Sequence, residues 1–115
     1  MKKTDKKIEK RLISALTHVC DCALESVEGF KWLTHDVNYS KFPESLSVIC
    51  VFDSIDGLNE AMSSDGIETL YSLISHELKT VDIQIRDVRK HVRFDTEEEC
   101  NAEHGGKWNV RLRSH

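Results

Sequence analysis

The chain has 115 residues, of which 39% are hydrophobic and 31% charged, with a formal net charge of −4. That length accommodates one domain, with a core that needs neither a disulfide nor a metal to hold it, and the balance of apolar and charged residues excludes a disordered polymer. The acidic total argues against strong nonspecific binding of nucleic acid.

The longest apolar run, Leu46 to Phe52, is far short of the roughly 20 residues that span a bilayer, so no membrane partner is expected. Residues 2–7 are basic in the manner of a secretory signal, but Ile8-Glu9-Lys10-Arg11 follows where an apolar stretch belongs, and a cytoplasmic location is expected. The cysteines at 20, 22, 50 and 100 then read as reduced thiols.

The first element is a helix over about residues 5–28. Ile8, Leu12, Ala15, Leu16, Val19, Ala23 and Val27 recur at spacings of three and four, with Lys7, Lys10, Ser14, Thr17, Asp21 and Glu25 on the opposite face and Gly29 as the stop. Lys31 to Tyr39 alternates as a strand, with Leu33, His35, Val37 and Tyr39 sharing one side. The segment Ser40–Ser45, which holds Pro43, is a loop, and Leu46 to Phe52, apolar on both faces and β-branched, is a central strand. Asp53 or Ser54 caps a short helix to Met62, the run Ser63–Gly66 breaks it, and Ile67, Leu70, Tyr71, Ile74 and Leu78 define a further helix over 66–79.

Two more strands are predicted. Val81, Ile83 and Ile85 would face inward and Asp82, Gln84 and Arg86 outward; after a turn at Asp87–Lys90, Val92 and Phe94 would face inward and His91, Arg93 and Asp95 outward. A last helix starts at Thr96. Its S/T-x-x-E box predicts that the Thr96 hydroxyl accepts one orphan N–H and the Glu99 carboxylate another, Glu97, Glu98 and Glu99 favour the positive end of the dipole, and Gly105 is a left-handed stop. The order α-β-β-α-α-β-β-α predicts a single α+β domain over residues 1–115 with two layers: a four-stranded, mainly antiparallel sheet with the helices on one face.

Charge is unevenly spread. Residues 2–11 carry six basic and two acidic groups, residues 44–82 carry eight acidic groups against Lys79 alone, and Arg86, Arg89, Lys90 and Arg93 face only Asp87. Those four basic residues form an edge that could grip phosphate, with Lys107, Arg111 and Arg113 downstream; no interleaved aromatics signal base stacking. The competing and preferred reading is a solvated face paired to the acidic middle.

Cys100 and His104 are one helical turn apart, as are His18 and Cys22, and two such pairs on facing helices would make a tetrahedral zinc site. The preferred reading assigns no metal and no cofactor, because cysteine serves often as a small hydrophobe. Cys100 as a nucleophile is opposed by Glu97, Glu98, Glu99 and Glu103, which disfavour thiolate, and no catalytic motif is read. Trp32 and Trp108 are expected as packing anchors.

Val19-Cys20, Glu28 to His35, Val51-Phe52-Asp53, Val92 to Glu98 and Glu103 to Trp108 resemble a small proteobacterial family of uncharacterised cytoplasmic proteins that often carry the label "Fis family transcriptional regulator". The resemblance implies DNA binding by that label. True Fis proteins, however, are nearly all helical and end in a basic helix-turn-helix, whereas this chain shows strands and opens its last helix with three glutamates, a face that repels phosphate. The expectation is therefore a non-enzymatic binding or regulatory module that meets a protein partner or itself, with nucleic-acid or anion binding at residues 86–93 as the alternative and a metal or thiol site at Cys100/His104 as the third.

Overall fold

A computed structural model describes residues 2–113. The helix α1 spans Lys3–Ser26 and buries Leu12, Ala15, Leu16, Val19 and Ala23, the stripe that the spacing predicts. Strand β1 (Phe30–Asp36) pairs antiparallel with β2 (Ser47–Phe52), with an irregularity between Phe30 and Trp32. Helices α2 (Ile55–Ser63) and α3 (Gly66–Thr80) follow, then β3 (Val92–Thr96), α4 (Glu97–His104) and α5 (Trp108–Arg113).

The protein is α+β, but the predicted architecture is corrected in four respects. It has three strands, in the order β1-β2-β3, and it is mixed, because β3 lies parallel to β2 with Val48 opposite Val92 and Phe52 opposite Thr96. The helices do not all lie on one face. The order of elements is α-β-β-α-α-β-α-α, since residues 81–86 form no strand and a helix follows Gly106.

The physical reason is the crossover. A parallel neighbour cannot be reached by a hairpin, so α2 and α3 carry the chain back along the sheet, and residues 81–91 then run to the start of β3. The alternation at 81–86 is satisfied by packing alone. Ile83 is buried, Val81 and Ile85 pack against the core, Asp82 takes a left-handed turn at φ 63°, and no strand pairs with them. Tyr39, expected in the first strand, opens instead a short 3-10 turn, Tyr39–Lys41, after Asn38 accepts the Ser40 N–H.

β2 is buried on both faces, as expected for a central strand. Val48, Cys50 and Phe52 join α1 and α3 in one core with Leu70, Ile74 and Leu78; each such leucine withdrawn from water is worth about 1.5–3 kcal/mol. Ile49 and Val51 point the other way, toward α5, so the sheet is a middle layer. Trp32 and Trp108 meet edge-to-face across that second side, with centroids 4.8 Å apart, and Trp32 Nε1 donates to Glu97 Oε1 at 3.0 Å. Among the described residues no helix is long and apolar enough to cross a membrane.

Candidate functional site

The basic edge at residues 86–93 is not one surface. Arg86 and Lys90 line an open cleft of about 650 Å³ with Pro43, Gln84 and His91, and Glu44 and Asp87 line the same cleft, offsetting both cations. Arg89 leaves it for α3. Its guanidinium donates twice to the Glu68 carboxylate, at 2.7 and 2.9 Å, and lies 4.7 Å from the centroid of the Tyr71 ring; hydrogen bonding to Glu68 raises its pKa. Arg93 sits on the second face of the sheet, beside Thr34, Ile49 and Arg113, and donates through Nε to Ser47 Oγ at 3.2 Å. His91 Nδ1 donates to the Leu46 carbonyl at 2.8 Å, which pins the entry to β3.

The four cysteine and histidine candidates are not gathered either. His18 on α1 donates through Nδ1 to Glu77 on α3 at 2.9 Å and lies 3.9 Å from Cys22 Sγ. Cys100 and His104 sit on α4 against α5, with His104 Nδ1 accepting from Arg111 Nη1 at 3.2 Å, because a guanidinium has no acceptor. No group of three or more histidine, cysteine, aspartate or glutamate side chains among the described residues is placed to hold a metal ion. Burial raises the pKa of the Cys100 thiol and that of Cys20, and it pushes Cys50 up to about 12. Burial thus moves these three thiols further from thiolate, which is what nucleophilic chemistry requires.

The most tightly built polar cluster is one the sequence does not signal. Asp95 was expected to face outward and Arg111 to be a loose downstream cation, yet they are 5% and 6% exposed. The second face of the sheet is covered by α5, so an outward position on β3 becomes an interior one. Arg111 Nε donates to Asp95 Oδ2 at 2.7 Å and Nη2 to Asp95 Oδ1 at 2.9 Å, a planar two-pronged pair. Glu103 lies 3.4 Å from Nη1, the Glu99 carbonyl accepts from Nη1 at 3.4 Å, and the hydrogen bonding to Asp95 raises the Arg111 pKa well above its ordinary value. The cluster clamps α5 to β3 and α4.

The three glutamates that open α4 are likewise used in holding the fold. Glu97 accepts from Trp32, Glu98 Oε1 accepts the Ile55 N–H at 3.0 Å, and the Thr96 hydroxyl accepts the Glu99 N–H at 3.0 Å. Half of the predicted capping box is present. The other half is replaced: the Thr96 N–H donates to Asp95 Oδ1 at 2.8 Å, and Glu99 accepts from the Thr96 hydroxyl instead. Gly105 is the left-handed stop, φ 59°.

Among the described residues four large apolar side chains are left exposed. Ile13 and Leu24 on α1 are 48% and 52% exposed, and Ile55 and Met62 are exposed on α2. Eleven positions along a helix return to within about 20° of the same direction, so Ile13 and Leu24 share one outer stripe with Thr17 and Cys20. A groove of about 270 Å³ between α1 and β1 runs along it, lined by Ile13, Leu16, Thr17, Cys20, Leu33 and His35. The signal was present in the sequence, because neither residue belongs to the buried spacing of α1 or to its polar face. Comparison with protein-family models, with curated proteins and with solved structures finds no match for this chain.

Proposed function

We propose that this protein is a non-enzymatic binding module whose working surface is the outer stripe of α1, and that it acts on a protein partner. The observation that carries the reading is the exposure of Ile13 and Leu24 on one face of a helix whose other face is fully used by the core. Two large side chains left half in water and aligned along a groove offer an apolar line that a partner can cover.

The fate of the reactive groups supports the same reading. Arg111, Asp95 and Glu97 to Glu99 hold elements together, Arg89 is paired to Glu68, and the Cys50 and Cys100 thiols are buried. Anion gripping by residues 86–93 gains less support, since Glu44 and Asp87 stand beside Arg86 and Lys90. The label attached to the similar proteobacterial family, DNA binding, meets the same obstacle.

The test is proximity labelling in the native cell, with the wild type beside an Ile13→Asp/Leu24→Asp variant of matched melting temperature. The expected outcome is that the variant loses the neighbours that the wild type labels. An unchanged set of neighbours would sink the proposal.

A further inference from the structure

Resting on that reading, we infer that the partner of the α1 stripe is a second copy of this chain, docked antiparallel about a two-fold axis near Thr17 and Cys20. At 100° per residue, Lys6, Lys10, Ile13, Thr17, Cys20 and Leu24 fall within an arc of about 80° on the outer side of α1. The stripe is apolar at its centre, and the flank beside it changes charge along its length: within an arc of about 60°, Lys3, Lys7 and Lys10 are exposed toward one end and Asp21 and Glu25 toward the other, with Glu28 in the turn beyond and no lysine or arginine between Arg11 and Lys31.

A closed dimer needs a patch that complements itself. An apolar stripe alone selects no partner, but a stripe whose flank changes charge sign about its midpoint selects its own reverse. Turned antiparallel, Ile13 meets Leu24 of the second copy, and Lys10 comes beside Glu25 and Glu28. Laid parallel, lysine would meet lysine and glutamate glutamate, which is repulsive. The groove between α1 and β1, apolar at Ile13, Leu16 and Leu33 and polar at Asp21 and His35, supplies the recess for the incoming leucine at its Ile13 end. The helices rather than the strands make the contact, since Lys31 and Asp36 are exposed on the outer strand β1 and discourage pairing along its edge. A 24-residue helix is about 36 Å long. A stripe of that length covers less than the roughly 800 Å² per partner of a standard interface, which places the dimer in the weak, concentration-dependent class.

Sedimentation velocity on the full chain across a concentration series tests this. The expected result is a mass that rises from one chain toward two. Ile13→Asp or Leu24→Asp is expected to weaken the dimer by about 30-fold each. The variants Lys6→Glu/Lys10→Glu and Glu25→Lys/Glu28→Lys are each expected to be monomeric alone and to dimerise when mixed. All of these positions are exposed, so melting temperatures close to wild type serve as the folding control. A wild type that stays monomeric at every concentration overturns the inference, as does a dimer indifferent to Ile13→Asp or a mixture that fails to associate. If the wild type is monomeric while Ile13→Asp/Leu24→Asp still loses its labelled neighbours in the cell, self-association falls and the docking stripe stands. If the neighbours persist as well, both fall.

Discussion

Arg111 is the residue on which the C-terminal third depends. It lies 6% exposed with two hydrogen bonds to Asp95, and removing the cation of a buried ion pair strips the carboxylate of its counter-charge, at a cost of about 3–5 kcal/mol. Arg111→Ala is therefore expected to lose about that much stability in urea unfolding, and Asp95→Asn in the same background to return part of it. A loss below about 1 kcal/mol would mean that the pair is dispensable. Cys50 gives a second prediction. Its folded-state pKa is raised, from an ordinary 9.0 to about 12, by burial. A raised folded pKa contributes stability that is fully present below pH 9 and is lost as pH climbs through 12, at roughly 1.4 kcal/mol per unit. Urea midpoints measured from pH 9 to 11 should fall more steeply for the wild type than for Cys50→Ala, although the variant starts lower because of its cavity. Equal slopes would refute it.

Among the elements, α4 shows how local and tertiary rules share one helix. Thr96 caps it through Glu99 N, and its own N–H is taken by Asp95, the partner of Arg111. Thr96→Ala is expected to cost about 1–2 kcal/mol and to speed hydrogen exchange across residues 97–100 first; uniform protection there would contradict the assignment. The cap, the Gly105 stop, α1 and β2 were all legible in the sequence, because each is fixed by spacing or by a residue type within a few positions. The segment 81–86 was not. Alternation records which side chains are buried, and Ile83 is buried without its backbone joining a strand. Asp95 was misplaced for a related reason: an outward strand position is polar when water covers it and equally when an arginine does, and only the docking of α5 distinguishes the two. The exposed apolar stripe of α1 was half legible. Ile13 and Leu24 stood outside both faces assigned to α1, but exposure is a property of the assembled molecule.

At the scale of the whole molecule, α5 is the lid of the third layer. Truncation after Lys107 removes Trp108 and Arg111, uncovering Trp32 and the second face of β2 and leaving Asp95 without its cation. The truncated chain is expected to bind a hydrophobic dye and to lose a cooperative thermal transition, and a chain that melts cooperatively near the wild-type temperature would disprove the role. The parallel pairing of β2 with β3 has a consequence in time. α1, β1 and β2 assemble from neighbours in the chain, but Val48 waits for Val92, more than forty positions away. That closure is entropically costly before it gains a single strand contact. Refolding therefore waits on two long closures, the docking of α1 against α3 and the arrival of β3. Until β3 arrives β2 presents a bare flank, so during synthesis the nascent chain carries an unpaired strand until Val92 to Thr96 have emerged.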